Sequence, residues 1–382
     1  MLTICILVLS LCALIYGMEE YFESYGHYIS SFFIVFFIYI IVSGNYQNAD
    51  SFTYENSYNI NEPRESFGLF AHWGYRSLIN ICNYLHFSFI QYRFIVYGIG
   101  FAILLIAVRR VGVLYYPFFF LYFAFPMIID STQMKFFVAM CFITLAISFL
   151  PKGRKKDKVL FVVFLIVGSS FHITSLVFLP LVLLCDNNYG KKIKVLSVLP
   201  LVLFAALFSN RSMSRILSLY LQDIFFDSSY NRANLYLMSH TNYGFFIYFL
   251  ATFVFIIIII KMRKIILNSG YSTEREKKYS NIVFYCSIFS LAFLPLYFIK
   301  LDFARLLRAL IPTYHMLFIM TIGVINRQYK IAQSNFVICV DTKKIMIMVM
   351  YFLMMIYMFY WEIFCFKDIV MFPFFDYNII IE

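Results

Sequence analysis

Charged residues are scarce in this chain. Only 13% of its 382 residues are charged and 62% are hydrophobic, whereas an ordinary soluble domain is about a quarter charged and about half apolar. Apolar stretches of roughly 17–25 residues recur along the sequence, which is the length that crosses a bilayer as an α-helix. The composition excludes an ordinary soluble protein and predicts an all-α, polytopic integral membrane protein.

Motifs for nucleotide, metal and hydrolase chemistry are missing as well. The sequence has no GxxxxGK[ST], GxGxxG, HExxH or GxSxG element, which argues against a nucleotide-driven pump, a zinc peptidase and a serine hydrolase. Its eight cysteines are scattered without a CxxC pair, so neither a zinc site nor a disulfide framework is indicated. No DxD-like pair of carboxylates lies in a predicted outer loop. We therefore expect no metal and no cofactor.

The charge that is present is mostly positive, with a formal net charge of +11. The basic residues concentrate in short loops between apolar stretches, such as PKGRKKDK at 151–158 and KKIK at 191–194. Loops of this kind orient a polytopic protein with its basic side in the cytoplasm. We therefore expect the lipid bilayer, and no nucleic acid, as the partner of this charge.

Ten stretches are predicted to cross the membrane. They are 1–18, 28–44, 92–109, 111–129, 132–150, 195–209, 243–260, 281–299, 306–325 and 345–361. The first lacks a basic n-region and a small-residue cleavage site, so we expect it to be retained as a span. Without an internal repeat or a Gly/Ser linker, residues 1–382 are predicted to form a single transmembrane domain with two long outer loops, 45–91 and 210–242.

The apolar run 159–184 does not fit a simple crossing. If it crossed once and 195–209 crossed as well, basic loops would fall on both sides of the membrane, against the positive-inside rule. We therefore predict two short helices of about 12 residues, roughly 18 Å each, which meet at 168–173 and form a re-entrant hairpin. In the alternative, 159–184 crosses once and 195–209 does not.

The tip of this hairpin is the polar stretch GSSFHITS, residues 168–175. Gly168 permits the turn, and the hydroxyl groups of the neighbouring serines and threonine can satisfy backbone groups that the turn frees. Polar residues at this depth are costly and are therefore candidates for function. His172 is the first candidate, either as a catalytic group in a polar cavity or as a hydrogen-bonded core histidine.

Two more polar clusters lie at the edges of apolar stretches. Asp50, Tyr54 and Tyr58 are spaced by four residues, so a short helix places them on one face. Gln133 and Lys135 lie just inside the apolar boundary of the next stretch, where Lys135 either serves a site or extends to the interface. The preceding Asp130 is typical of a helix start.

The segment LDFARLLRALIPTYH, residues 301–315, carries two arginines at the entrance of a predicted span. Arg305 and Arg308 share a helical face, and Asp302 can pair with Arg305. A guanidinium group offers a fork of donors that suits phosphate or pyrophosphate. The alternative role of the two arginines is to anchor the helix at the interface.

These residues resemble the EpsG-like family of Wzy-type polysaccharide polymerases, over about residues 30–325. The matching positions are, in chain order, Asp50 and Tyr54; Gly74, Tyr75 and Leu78 of HWGYRSL; Gln133 and Ala139; Phe171, His172 and Thr174 or Ser175; and Arg305 followed by Tyr314. Three positions depart from the family pattern. Asn45 stands near the place of an arginine, His72 replaces an acid, and Lys135 replaces an arginine.

The resemblance implies a bacterial inner-membrane glycosyltransferase. It would join polyprenyl-pyrophosphate-linked oligosaccharide repeats on the outer side of the membrane into O-antigen, capsule or exopolysaccharide. Polyprenyl pyrophosphate is then the leaving group, so no nucleotide sugar is needed, and a chain-length regulator and a flippase of the same pathway are the implied protein partners. A lipid-linked oligosaccharide flippase and a membrane O-acyltransferase acting on polysaccharide are the alternatives.

Each candidate residue has a role in this interpretation. His172 or Asp50 deprotonates the acceptor hydroxyl. The remaining candidates bind substrate: Arg305, Arg308 and Lys135 at the pyrophosphate, Tyr54, His72 and Tyr75 at the sugars, and Gln133 and Tyr314 as further contacts.

Overall fold

The computed structural model describes residues 26–48, 50–60, 72–185, 244–299, 301–332 and 342–379. Within these ranges the chain is helical and contains no β-strand, only a single antiparallel bridge between Asn45 and Asn378. The predicted all-α class is therefore confirmed. The predicted spans 1–18 and 195–209 and the predicted outer loop 210–242 lie outside the described residues.

The α-helices of the described ranges are numbered in chain order. They are α1 (Gly26–Gly44), α2 (Ser51–Asn59), α3 (Trp73–Tyr84), α4 (Phe89–Val111), α5 (Tyr115–Ala124), α6 (Met127–Thr132), α7 (Met134–Ile147), α8 (Lys155–Ser169), α9 (Phe245–Asn268), α10 (Glu274–Phe289), α11 (Leu294–Ile299), α12 (Ala304–Arg308), α13 (Ile311–Ala332), α14 (Thr342–Phe359) and α15 (Phe372–Asp376). Two 3₁₀ segments matter below, Leu150–Lys152 and Ile173–Cys185. A π-helical turn, Tyr360–Phe364, follows α14.

Six helical segments of the described ranges are long and apolar enough to cross a membrane. They are Phe89–Val111, Met134–Lys152, Phe245–Asn268, Glu274–Tyr297, Leu301–Gln328 and Lys344–Phe364. This supports a helical membrane protein but not the predicted count of about ten spans. The predicted span 28–44 falls on α1, whose apolar part, Ser31–Gly44, is shorter than these six.

Large apolar side chains are exposed along the outer surfaces of the long helices. Leu250 and Ile257 of α9 and Leu353 and Ile356 of α14 are all exposed. So much exposed apolar surface on several helices is unusual for a protein in water, and it is what a helix surface in contact with lipid requires. The surface therefore agrees with the membrane class that the composition predicts.

The predicted span 111–129 is wrong in one respect, because the structure breaks it. Helix α5 ends before Phe125, which is extended (φ −168°, ψ 134°), as a residue before proline usually is. Helix α6 then starts after Pro126, and Asp130 lies inside it and is fully buried. Asp130 therefore does not start a helix, and its carboxylate instead accepts a hydrogen bond of 2.9 Å from the Tyr122 hydroxyl.

The segment 159–184 forms the predicted helical hairpin. Helix α8 leads to a turn at 170–172, and the 3₁₀ segment Ile173–Cys185 returns along α8 and packs against it and against Leu150–Lys152. Both ends of the hairpin thus lie at the same end of the bundle, and a single continuous helix over 159–184 is not present. The arms differ from the prediction, since the first begins at Lys155 and the second is a 3₁₀ helix rather than an α-helix.

Gly168 has a different role from the predicted one. It lies within α8 and is not among the glycines with positive φ, so the turn does not depend on its conformational freedom. A Cβ atom at this position would lie 2.9 Å from Ser175 Oγ and 3.0 Å from Phe142 Cβ. The glycine therefore allows the two arms and α7 to approach closely.

The hairpin is shorter than the helix that crosses the bundle beside it. The 23 residues of α4 span about 35 Å and the 15 residues of α8 about 22 Å at 1.5 Å per residue. The basic C-terminal turn of α4 lies near the start of α8, where Arg110 Nη2 is 3.9 Å from an Asp157 oxygen. The hairpin tip therefore ends short of the opposite end of α4. Another element covers the tip from that end of the bundle.

Candidate functional site

Helix α3 is the element that meets the hairpin tip. The backbone N–H groups of Gly74 and Tyr75 donate to the carbonyl oxygen of Ser170 at 3.0 and 3.3 Å, so the start of α3 caps the end of α8. A Cβ atom on Gly74 would lie 2.1 Å from Ser170 Oγ. Only glycine fits this contact, and the HWGY and SSFH segments, almost a hundred residues apart, are joined there.

His72 precedes α3 in a left-handed conformation (φ 60°, ψ 22°). Its Nδ1 lies 2.6 Å from the carbonyl oxygen of Phe171. Because a carbonyl only accepts hydrogen bonds, Nδ1 carries the proton in the neutral ring and Nε2 keeps its lone pair. Burial, with a smaller effect of the nearby Lys135, lowers the pKa of His72 to about 4, so the imidazole is neutral at neutral pH and its Nε2 is unprotonated.

His172 lies beside His72 with the opposite tautomer. The ring centroids are 5.9 Å apart. The Nδ1 of His172 lies 2.8 Å from Thr174 Oγ1 and accepts a longer bond, 3.4 Å, from the Thr174 backbone N–H. An N–H group only donates, so in the neutral ring the proton of His172 is on Nε2. The pair therefore combines one imidazole acceptor with one imidazole donor.

The hydroxyl groups of two serines in the tip donate to backbone carbonyl oxygens, as predicted. Ser169 Oγ donates to the carbonyl oxygen of Ile166 at 2.7 Å, and Ser170 Oγ donates to that of Val167 at 2.6 Å. These bonds follow the local side-chain pattern expected at a helix end. Thr174 is the exception, since its hydroxyl contacts the His172 ring instead.

Lys135 lies on the other side of the histidines, in the first turn of α7. Its Nζ is 4.4 Å from the centroid of the Tyr75 ring and 5.7 Å from that of Tyr54, within the range of cation–π attraction. The two tyrosine rings are themselves 6.1 Å apart. Lys135 thus points into an aromatic cluster.

Helix α2 confirms the predicted common face only in part. Tyr54 and Tyr58 are both buried on one side of it, whereas Asp50 is the residue before the helix and is half-buried. The charges of Asp50 and Arg305 act electrostatically on the Tyr54 hydroxyl. Asp50 therefore lies at the edge of the aromatic cluster, and its catalytic role stays a prediction.

The two arginines of α12 occupy different surroundings. Arg308 is 1% exposed. Its Nη1 lies 2.8 Å from a Glu362 oxygen, its Nε lies 3.5 Å from an Asp130 oxygen, and its Nη2 donates to the Gln133 side chain. We call these four residues the Arg308 network. A guanidinium so engaged inside the protein has few donors left for a ligand.

Arg305 remains outside this network. It is half-buried and makes no ion pair with any residue that the structure describes. Arg305, His72 and Lys135 all lie close enough to His172 to act on it electrostatically. We use the name histidine cluster for His72, His172, Lys135 and Arg305.

Comparison with known proteins places this chain in a family. The model of the EpsG family matches residues 28–379. The chain belongs to the EpsG family. Membership indicates a membrane protein of polysaccharide biosynthesis. No curated protein and no solved structure matches the chain.

The family match extends beyond the resemblance that the sequence motifs carry, which ends near residue 325. It takes in the π-helical turn with Glu362, the partner of Arg308. In this EpsG family protein, four of the motif segments, those of Tyr75, Lys135, His172 and Arg305, are brought to one place.

Tyr314 is not part of that place. Its ring packs 5.2 Å from the Phe255 ring of α9, and its hydroxyl is near Tyr297 and Cys286. Its neighbour His315 is also structural, since the ring lies 2.8 Å from the Phe125 carbonyl oxygen. The proposed substrate role of Tyr314 gains no support from this position.

Sequence reasoning did not single out two buried charges, Glu362 and Arg93. Arg93 is fully buried in α4 and donates to the carbonyl oxygens of Ser43 and Val42 at 3.3 and 3.5 Å, the last turn of α1. Both residues carry a charge within or beside an apolar stretch. Because such charges are rare and are candidates for function, the two residues could have been identified from the sequence. Among the described residues, no group of three His, Cys, Asp or Glu side chains is arranged to hold a metal.

Proposed function

We propose that this EpsG family protein is a polysaccharide polymerase that joins lipid-linked oligosaccharide repeats. The observation that carries the proposal is the histidine cluster, in which a neutral imidazole base, an imidazole donor and two cations converge from four separate segments. A transfer with a pyrophosphate leaving group needs a base for the acceptor and positive charge for the departing anion. The cluster contains both.

The chemistry assigns one role to each member. His72 Nε2 takes the proton from an acceptor sugar hydroxyl, while His172 Nε2–H donates to that hydroxyl oxygen and orients it. The oxygen forms a bond to the anomeric carbon of the donor sugar as the bond from that carbon to pyrophosphate breaks. The electron pair leaves with polyprenyl pyrophosphate, which Arg305 and Lys135 stabilise.

The aromatic cluster supports the same reaction. Tyr54 and Tyr75 lie beside Lys135 and offer ring faces of the kind that bind the apolar face of a sugar. The orientation follows from charge, since basic residues gather at the opposite end of the bundle and the positive-inside rule places them in the cytoplasm. The histidine cluster then opens toward the outer half of the membrane, where repeats on lipid would be displayed.

Purified protein and purified lipid-linked repeats test the proposal. The expected result is a ladder of longer lipid-linked chains with release of polyprenyl pyrophosphate and without added nucleotide sugar. A strain lacking the gene should accumulate single repeats that are accessible at the outer surface. Repeats trapped inside would instead indicate a flippase, and full-length chains that lack acyl groups would indicate an O-acyltransferase.

A further inference from the structure

A second polar site lies at the basic end of the bundle, far along α4 and α8 from the histidine cluster. It is a cavity of about 410 Å³ between the end of α4, the 3₁₀ turn after α7 and the start of α10. The lining residues that carry charge are Arg110, Lys152, Arg154, Arg275, Lys278 and Glu274. Five basic side chains from three segments therefore face one cavity with a single carboxylate.

The carboxylate of Asp157 lies behind the arginines rather than in the cavity. Asp157 has a side chain that is 2% exposed, 2.7 Å from Arg154 Nε and 3.9 Å from Arg110 Nη2. It does not line the cavity. Asp157 therefore holds two of the cations in place from behind and leaves the cavity surface positive.

The guanidinium of Arg110 is fixed from another side as well. Its central carbon lies 3.3 Å from the centroid of the Phe149 ring. Its Nε is buried and has no hydrogen-bond partner among the described residues. The Arg110 guanidinium is therefore fixed against an aromatic ring and has one N–H group without a partner in the described part of the chain. This is typical of a binding site and not of a mobile surface arginine.

The absence of a side chain at Gly112, after the end of α4, allows Arg275 to lie close to the backbone there. Gly112 has φ 84°, and a Cβ atom there would lie 3.1 Å from Arg275 Nη1, so a side chain would press on this guanidinium. Arg275 lies in the first turn of α10, where the partial positive charge of the helix N-terminus adds to its own. Both features favour an anion in the cavity.

Exposed apolar side chains lie close in sequence to the basic residues of the cavity. Ile106 lies one turn before Arg110 in α4, Leu114 follows Gly112, and Val159 lies in α8 behind the basic loop, and all three are exposed. A basic cavity at the border of a lipid-facing surface is the arrangement that holds the headgroups of acidic lipids.

We propose that this cavity binds the phosphate group of an anionic ligand, supplied by an acidic phospholipid or by a soluble phosphate compound. The proposal concerns a site separate from the histidine cluster and does not depend on the polymerase proposal. Arg110, Arg275 and Lys152 contact the phosphate, and the nearby exposed apolar residues receive acyl chains when the source is a lipid.

The experiment measures thermal stabilisation of purified protein in detergent at fixed ionic strength. The probes are dioctanoyl phosphatidylglycerol, inorganic pyrophosphate and dioctanoyl phosphatidylcholine as the zwitterionic comparison. Stabilisation by phosphatidylglycerol alone identifies a lipid headgroup site, and stabilisation by pyrophosphate that the cavity variant described below abolishes identifies a soluble ligand. If neither probe raises the melting temperature more than phosphatidylcholine does, the proposal is wrong.

Two triple variants separate a site from general surface charge. The cavity variant Lys152→Gln/Arg275→Gln/Lys278→Gln spares the arginines that pair with Asp157, and the matched variant Lys155→Gln/Lys156→Gln/Lys264→Gln removes three exposed charges outside the cavity. The cavity variant should bind the probe at least about tenfold more weakly, since each basic group near an anionic headgroup contributes about 1 kcal/mol. The matched variant should stay within about twofold. Equal weakening in both variants would overturn the proposal.

Discussion

The Arg308 network and the histidine cluster lie next to each other but use charge in opposite ways. In the network a buried guanidinium is met by two carboxylates and an amide. In the histidine cluster Arg305, three residues earlier on the same helix, pairs with no carboxylate of the described residues. One region pairs its arginine with carboxylates of the protein, and the other contains an arginine without a carboxylate partner among the described residues.

The difference shows that position on a helix face does not decide the role of an arginine. The network joins α6, the start of α7, α12 and the π-helical turn after α14, so it holds together four segments that frame the site. Removing one partner of a buried ion pair leaves an uncompensated charge, which costs far more than the pair contributes. Substitutions in the histidine cluster, in contrast, should leave the stability of the fold unchanged but lower the activity.

The largest effect is expected for Arg308→Ala. The change leaves Asp130 and Glu362 buried without their cation, and about 3–5 kcal/mol of stability should be lost. The measurement is the temperature at which half of the monodisperse protein peak disappears in detergent, with Arg305→Ala as the matched control. The neutralised variant Asp130→Asn/Arg308→Met/Glu362→Gln should recover part of the loss.

That comparison would fail in a specific way. If Arg305→Ala lowered the temperature as much as Arg308→Ala did, the two arginines would have the same structural role. The division between network and cluster would then be wrong.

The next largest effect is expected for Gly74→Ala at the junction of α3 and the hairpin. The new methyl group would lie 2.1 Å from Ser170 Oγ, so α3 must shift and move His72. A displacement of about 1 Å at a site can reduce a rate by about 100-fold. The double variant Gly74→Ala/Ser170→Gly removes the obstructing atoms and should restore polymerisation. A double variant as inactive as the single one would contradict the contact as the cause.

A smaller effect is expected for Arg305→Lys, which retains the charge and loses the fork of donors. The loss of about 1.5–3 kcal/mol of charged hydrogen bonding corresponds to about a ten- to hundredfold lower rate. The assay is polymerisation of lipid-linked repeats at matched protein levels, and the thermal midpoint should not change. A wild-type rate would leave Arg305 as an interfacial anchor only.

The smallest expected effect is a shift in pH dependence. With the pKa of His72 held at about 4, the neutral base persists from pH 8 down to about pH 5, and activity is lost only as pH falls through about 4. Lys135→Met removes a nearby cation that lowers this pKa, so the acid limb should move to higher pH, within a profile whose maximum is lower because the leaving group has lost one cation. If the acid limb of the variant stays at the wild-type pH, Lys135 does not influence the pKa of His72.

Much of the fold was accessible from the sequence because membrane helices are set by length and apolarity. The hairpin at 159–184 followed from the positions of basic loops, which report topology more directly than hydropathy does. Six candidate spans are found among the described residues, and the predicted span 111–129 is broken at Pro126, which hydropathy does not register. The form of the returning arm was equally hidden, since a 3₁₀ helix and an α-helix have the same apolar composition.

The candidate site was partly predictable. The sequence named the members of the histidine cluster one by one, but it could not show that α3 caps the hairpin or that His72, predicted to contact the sugars, has an unprotonated Nε2. It also proposed both Arg305 and Arg308 as pyrophosphate ligands, because the partners of Arg308, Asp130 and Glu362, come from segments about 180 and 50 residues away. Such contacts depend on tertiary packing and leave no local pattern.

The most direct test of the histidine cluster compares two histidines in the same conformation. His72 and His86 both have positive φ, 60° and 57°, and asparagine tolerates that conformation, so His72→Asn and His86→Asn are matched changes at the two ends of α3. In polymerisation of purified lipid-linked repeats, His72→Asn should lower the rate by about 10²–10⁴-fold, as loss of a general base does, while His86→Asn stays at the wild-type rate. A His72→Asn protein that polymerises as fast as the His86→Asn protein would contradict the assignment of His72 as the base.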